Sequence, residues 1–256
     1  MQQSKKNESQ NLVSESGDLE ILGLCLYMPS EQTLIIADLH LGVEETTNKE
    51  CTPLARTNYS EIGKHLERIF TVLETRRVKK LKKIIINGDL KHESGTISEQ
   101  EWKEVLDMLE YLQKKCEKII LVKGDHDTIL GPIGRRKEIN VEKSHFIPEK
   151  KVLFLHGHKT IGTPEFNKAE VLVIGHEHPA ITLRDGAKRE KYKCFLRGKF
   201  GGKELIVMPS LNSVHAGTDV KNEKLLSPFL QQRLENFECW VSEEGETYRF
   251  GMVAEL

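Results

Sequence analysis

The chain has no apolar run approaching the roughly 20 residues needed to span a bilayer. It has no C-x-x-C pair either, and its five cysteines (Cys25, Cys51, Cys116, Cys194, Cys239) are odd in number and scattered. That pattern argues against a disulfide framework and a thiolate zinc site, and favours a reducing compartment, with the cytoplasm as the default. An excess of charge of one sign is also missing. Thirty-eight Lys and Arg stand against 39 Asp and Glu, so a formal net charge of −1 gives no global pull toward nucleic acid or membranes. The amino-terminal stretch Met1–Asp18 lacks the apolar centre of a signal peptide and reads as a solvated tail. What is present is an ordinary globular composition, 38% hydrophobic and 30% charged over 256 residues, enough for one large core. No internal repeat or low-complexity linker interrupts it. We therefore expect a disordered polar tail over 1–17 and a single domain over 18–256.

Five short apolar runs each end, within a few residues, on an aspartate or a histidine. Leu34–Ala37 leads to Asp38 and His40, and Ile84–Ile86 leads to Asp89. Ile119–Val122 leads to Asp125 and His126, Val152–Leu155 to His156, and Val171–Ile174 to His176 and His178. Runs of this length rich in Ile, Leu and Val read as buried strands. In open α/β sheets ligands gather outside the carboxyl ends of such strands. Two helices are expected between them. One runs from Asn58 to about Val78 on the stripe Ile62, Leu66, Ile69, Phe70 and Leu73. The other runs from about Ser98 to Cys116, with Trp102, Val105, Leu106, Leu109 and Leu112 inward and a Ser98–Glu101 capping box.

From Ala180 onward the pattern changes to short strands joined by Gly201-Gly202 and Glu244-Gly245, which are hairpin signals. Gly42–Pro53 reads as a loop, and Pro179 reads as part of a rigid turn after His178. Mixed sheets packed between helices suit this order better than an all-parallel fold.

Each short motif alone is weak. Asp38-x-His40 is most often a strand-end turn, Gly88-Asp89 a glycine turn with a capping aspartate, and His176-Glu177-His178 a loop pair. Together, D-x-H, G-D, G-D-H-D, H-G-H and G-H-x-H in that order resemble the motif set of the calcineurin-like metallophosphoesterase superfamily, from about Leu34 to His178. Gly88-Asp89-Leu90-Lys91-His92-Glu93 and Pro209-Ser210-Leu211-Asn212 look like the archaeal ICC-like phosphoesterases, which are similar to bacterial phosphoesterases associated with DNA ligase D.

The resemblance implies an α/β fold, a four-layer α/β/β/α sandwich of two mixed β-sheets flanked by helices. It implies two divalent metal ions, Mn²⁺ first, with Fe²⁺, Zn²⁺, Ni²⁺ or Co²⁺ as alternatives; such ions suit carboxylate and imidazole donors. One ion takes Asp38, His40, Asp89 and His178, the other Asp89, Asp125, His156 and His176, with Asp89 bridging. A bridging carboxylate of this kind holds two cations roughly 3.5–4 Å apart, and a shared hydroxide attacks phosphorus. His126 then lies beside the phosphate as the catalytic histidine, Asp127 orients its ring or caps the turn, and His92 is a candidate substrate contact. His158 and His215 receive no role.

One position departs from that pattern. The family usually has asparagine in G-N-H-[DE], and this chain has Gly124-Asp125-His126-Asp127. An additional carboxylate holds cations more firmly and lessens their pull on an anionic phosphate.

The implied reaction is hydrolysis of a phosphate ester, with a diester preferred. A DNA or RNA nuclease in repair or processing is one alternative, and a non-catalytic metal-binding scaffold is another. Basic runs at Arg76–Lys83, Arg135–Lys137 and Arg184–Lys203 could follow a phosphate backbone, or form solvated surfaces balanced by glutamates. Among them the hairpin Lys188–Lys203 is the better nucleic-acid candidate because it follows His178, although only Tyr192 and Phe195 offer rings for stacking. A membrane is not expected as a partner, and the sequence does not set the oligomeric state.

Overall fold

The structure is a computed structural model that describes residues 14, 18–45, 57–95, 97–128, 130–131, 134, 137–186, 188–243 and 246–256. Most of the expected tail, part of the Gly42–Pro53 loop, Cys51, Arg135, Arg136 and the Glu244-Gly245 turn lie outside the described residues.

Two mixed sheets stack face to face. In the first, the strand order is β1 (Glu20–Leu22), β2 (Cys25–Met28), β3 (Thr33–Ile36), β4 (Leu81–Asn87), β5 (Cys116–Val122) and β6 (Asn140–Glu142). Leu19–Tyr27 forms a hairpin, with β1 and β2 antiparallel about Gly23-Leu24. From β3 to β6 the strands are parallel, with Ile36 opposite Ile86 and Ile86 opposite Leu121. That register sets Asp38, Asp89 and Asp125 side by side beyond one edge.

The second sheet contains β7 (His145–Ile147), β8 (Val152–Leu155), β9 (Val171–Ile174) and β10 (Pro179–Asp185). It continues with β11 (Lys188–Phe200), β12 (Lys203–Val207), β13 (Thr218–Asp219), β14 (Glu238–Glu243) and β15 (Glu246–Met252). Its main path runs β13-β10-β11-β12-β9-β8-β7, and β14 pairs with both β11 and β15. β8 and β9 are parallel neighbours, with Leu155 opposite Ile174. Pro179 therefore opens a strand, where the missing N–H costs no ladder bond.

Alternation along the buried strands builds both interfaces. Ile35, Ile85, Ile120 and Val122 of the first sheet meet Phe154, Val173, Phe195 and Ile206 of the second between the layers. Their neighbours Ile36, Ile84, Ile86 and Leu121 face outward onto α1 (Asn58–Thr75) and α2 (Glu99–Lys115). Each such side chain, fully buried, contributes on the order of 1.5–3 kcal/mol. The outer face of the second sheet is covered more thinly, by the short α3 (Pro164–Lys168), the turn Pro228–Leu230, Leu234, Phe237 and Val253. Among the described residues, no helix is long and apolar enough to cross a membrane.

Candidate metal centre

The five strand ends converge as two sets of parallel neighbours: β3, β4 and β5 from one sheet, β8 and β9 from the other. Asn87 ties the sets together, its side-chain amide donating to the Leu155 and Val173 carbonyls at 3.2 and 3.3 Å. Glycines at the ends of the runs are needed because side chains from neighbouring strands close over them. A Cβ at Gly124 would lie 2.0 Å from Asp89 Oδ1, and one at Gly88 2.0 Å from His156 Nδ1.

Asp38, His40, Asp89, His176 and His178 all hold left-handed backbone, with φ between 43° and 67°. Non-glycine residues in that region cost on the order of 1–3 kcal/mol each, and they concentrate at functional sites.

Among the described residues three groups of potential ligand atoms result: Asp38, His40 and His178; Asp89, Asp125, His156 and His176; and His40, His92 and His126. In the first, His178 Nε2 is 3.5 Å from Asp38 Oδ1 and 3.2 Å from His40 Nε2. In the second, His156 Nε2 is 2.9 Å from Asp125 Oδ1, and His176 Nδ1 is 3.3 Å from the same oxygen. Asp89 Oδ2 reaches into both, 3.6 Å from His40 Nε2 and 3.3 Å from His156 Nε2. All seven residues expected as metal ligands are thus brought together.

Asp38, Asp89 and Asp125 meet at this one edge, and none forms an ion pair with a described lysine or arginine. Imidazole nitrogens approach one another, His176 Nδ1 lying 3.2 Å from His156 Nε2. Close nitrogens need either a shared proton or a common cation. The donor set fits divalent metal ions.

In the metal-free protein the electrostatics divide the donors. Burial disfavours charge on Asp125, but its bonds with His156 and His176 hold the carboxyl well below the usual range. Burial and the neighbouring His178 push His40 well down, keeping its ring neutral as a ligand must be. For His156, burial works against the charge that Asp125 and Asp89 favour, and the carboxylates prevail.

His126 sits at the mouth. Its amide donates to Asp89 Oδ1 at 3.1 Å, and its Nδ1 lies beside the His92 carbonyl and 3.1 Å from Ser94 Oγ. A carbonyl can only accept, so Nδ1 carries the proton and Nε2, 4.0 Å from Asp125 Oδ2, faces the centre. His92 stacks on His126 with centroids 5.5 Å apart, and its Nδ1 is 3.2 Å from His40 Nδ1.

Asp127 does not orient the His126 ring, as the sequence reading allowed. Its carboxylate accepts from the Leu90, Lys91 and Gly124 amides at 3.1, 3.4 and 3.0 Å, locking two strand-end loops together. Burial, reinforced by the Asp89 charge, pushes its carboxyl up to about 7.

Several supporting residues escaped the sequence reading. Asn58 donates to the Leu39 and His40 carbonyls and accepts from the Ser213 amide at 2.8 Å. The Ser98 hydroxyl caps α2, but Glu101 does not complete a capping box; it accepts from the His92 and Glu93 amides, each at 2.8 Å. Glu177 turns away from its flanking histidines to hold the Leu226 and Ser227 amides at 2.8 Å. Pro209–Asn212, singled out in the sequence by resemblance but without a role, backs the first strand end, its Leu211 and Asn212 amides donating to the Ala37 and Asp38 carbonyls. The one available signal was the clustering of polar residues beside the motifs.

The sequence model of the calcineurin-like phosphoesterase family matches residues 32–234. Among solved structures, the chain is similar to the nuclease MPE of Pseudomonas putida, at 18% identity and a TM-score of 0.65, over 95% of this chain and 100% of that one. It is also matched to the phosphoesterase YfcE of E. coli, at 14% identity, a TM-score of 0.38, and 76% and 96% coverage. Vps29 of Cryptosporidium parvum matches at 15% identity and a TM-score of 0.38, with 85% and 94% coverage. The first likeness is one of fold, and the other two are too loose to add to it. No curated protein matches. With the family model spanning most of its length, the chain belongs to the calcineurin-like phosphoesterase family.

Proposed function

We propose that this chain is a two-metal phosphoesterase acting on a phosphodiester, with residues 18–256 as one catalytic domain in a reducing cytoplasm. Asp38, His40, Asp89 and His178 would hold one ion, and Asp89, Asp125, His156 and His176 the other. The observation that carries this reading is the reach of Asp89 Oδ2 to one imidazole of each group, at 3.6 and 3.3 Å. Mn²⁺ is the first candidate, given the mixture of carboxylate and imidazole donors. Two such ions held there would supply Lewis acidity and would lower the pKa of water toward neutrality.

The protein's own contribution is positioning. Asp127 and Glu101 fix the loops after β4 and β5 through backbone amides. His126, with Nδ1 committed to His92 and Ser94, presents Nε2 to the incoming phosphoryl group or leaving oxygen. His92 backs that ring.

Protein purified without added metal, analysed for metals and assayed after loading with Mn²⁺ or Ni²⁺, tests the reading. We expect about two ions per chain and faster turnover of bis-p-nitrophenyl phosphate than of p-nitrophenyl phosphate. Less than one ion per chain after loading, with no turnover of either ester, would instead support a binding-only role.

A further inference from the structure

Beyond Asp125 and His156 the centre opens into a cleft of about 310 Å³, and three lysines line it: Lys123, Lys143 and Lys159. They come from three different strand ends. Lys123 directly follows β5, Lys143 directly follows β6, and Lys159 lies on the loop after β8. The Lys123 amide donates to the Glu142 carbonyl at 2.8 Å, holding the first two side by side.

All three are exposed and none forms an ion pair with a described residue. Several basic side chains elsewhere are neutralised. Lys150 pairs with Asp18 at 2.7 Å, Lys188 with Glu190 at 2.7 Å, Arg197 with Glu204 at 2.7 Å, and Lys191 with Glu223 at 2.5 Å. The acid on the cleft wall, Asp125, is turned to His156 and His176. The cleft also holds His158, whose buried Nδ1 has no partner. Like charges gathered on one wall repel, and the fold gains nothing from them. An anion entering beside the metal centre would relieve that repulsion.

We infer that this cleft binds a further phosphate of the substrate, next along the chain from the scissile diester, and that the substrate is a polynucleotide strand. The inference rests on the phosphodiesterase reading of the centre. Lys123, Lys143 and Lys159 are then residues that set specificity for a chain over an isolated diester, each donating to phosphate oxygens as a point charge. A small nucleotide bearing a terminal phosphate offers the same chemistry, so the test separates the two.

The Mn²⁺-loaded wild type and the triple variant Lys123→Gln, Lys143→Gln, Lys159→Gln are compared on five substrates: bis-p-nitrophenyl phosphate, the dithymidine monophosphate TpT, its terminally phosphorylated forms pTpT and TpTp, and an oligothymidylate. Each is run over a salt series. Binding of a fluorescent oligothymidylate to metal-free protein is followed by anisotropy. These are exposed lysines, and thermal melting checks that the variant is folded.

We expect the wild type to prefer oligothymidylate, and the variant to lose at least about tenfold more activity on it than on bis-p-nitrophenyl phosphate. The salt dependence on the oligonucleotide should become shallower by about 0.7 to 2 logarithmic units per decade, corresponding to one to three lost phosphate contacts. Equal losses on both esters, or an unchanged salt slope, would overturn the inference. A preference for pTpT or TpTp with none for oligothymidylate would overturn the polynucleotide in favour of a terminal phosphate. If no ester is turned over, the phosphodiesterase reading fails. Anisotropy then still decides the cleft: equal binding by both proteins refutes it, and weaker binding by the variant supports it.

Discussion

The two halves of the centre use the same kinds of donor and treat their carboxylates in opposite ways. On one side the Asp38 side chain is wholly buried, and both its oxygens accept from the His176 amide at 3.3 and 3.1 Å. That carboxylate is a bond between the sheets as well as a candidate ligand. On the other side Asp125 is 41% exposed and is engaged by the His156 and His176 rings. One half is built into the fold, and the other opens onto the lysine cleft. Asp125 is therefore the more accessible of the two carboxylates, and it stands at the one position that departs from the resembled motif.

Asp89, common to both halves, should show the largest effect. Asp89→Asn is expected to lose both ions and lower turnover on the order of a thousandfold or more, read by elemental analysis and bis-p-nitrophenyl phosphate assay. If one ion stayed bound at wild-type strength, the halves would be independent and the bridge would not exist.

His126→Ala leaves both ligand sets whole. It should lower kcat by on the order of 10²–10⁴ with metal content unchanged. A fall in metal content would recast His126 as a ligand.

The carboxylates themselves can then be set against each other in metal-free protein. Asp38→Ala leaves the partly buried His176 amide without its acceptor and should lower stability by about 1–3 kcal/mol in urea unfolding. Asp125→Ala removes a partly exposed carboxylate that pairs with the His156 and His176 rings, so it should destabilise as well, but by less than Asp38→Ala. Equal destabilisation by both would erase the distinction. On loading, Asp125→Asn should weaken retention of the second ion and shift preference among Mn²⁺, Ni²⁺ and Zn²⁺, visible in competitive metal binding.

The smallest effects belong away from the centre. The hairpin, the basic region favoured on sequence grounds, has Lys188 held by Glu190 and Lys191 by Glu223, while Lys193 is spent on Ser210 and Asn212. Lys188→Gln should change nucleic-acid binding less than about twofold, since exposed pairs contribute little. Acid acts at a distance too. His65 Nε2 accepts from the Leu24 amide at 3.1 Å, and burial, with Arg68 nearby, lowers its pKa to about 4. Its unfolded form binds a proton from about pH 6.5 downward and its folded form only near 4, so stability falls as pH drops through that window. In metal-free protein, His65→Gln should flatten the pH dependence of the melting temperature between those values.

Much of this centre was legible because each donor stands directly behind an apolar run, and parallel neighbours bring such ends together. The contacts that crossed between loops were not. Asp127 bonds amides 36 and 37 residues away, Asn58 reaches Ser213, and Glu101 leaves its own helix end for the His92 loop. Short-range pattern carries no trace of such partners. The lysine cleft was hidden for the same reason: its three cations come singly from three loops, whereas sequence shows only runs of adjacent charge. Strands of two or three residues, such as β6, β7 and β13, are too brief to show a period.

The central claim is that one carboxylate, Asp89, joins two ion sites. Electron paramagnetic resonance of the Mn²⁺-loaded protein tests it most directly. The account predicts an exchange-coupled pair at two ions per chain, collapsing in Asp89→Asn. The hyperfine pattern of isolated Mn²⁺ in the fully loaded wild type would contradict it.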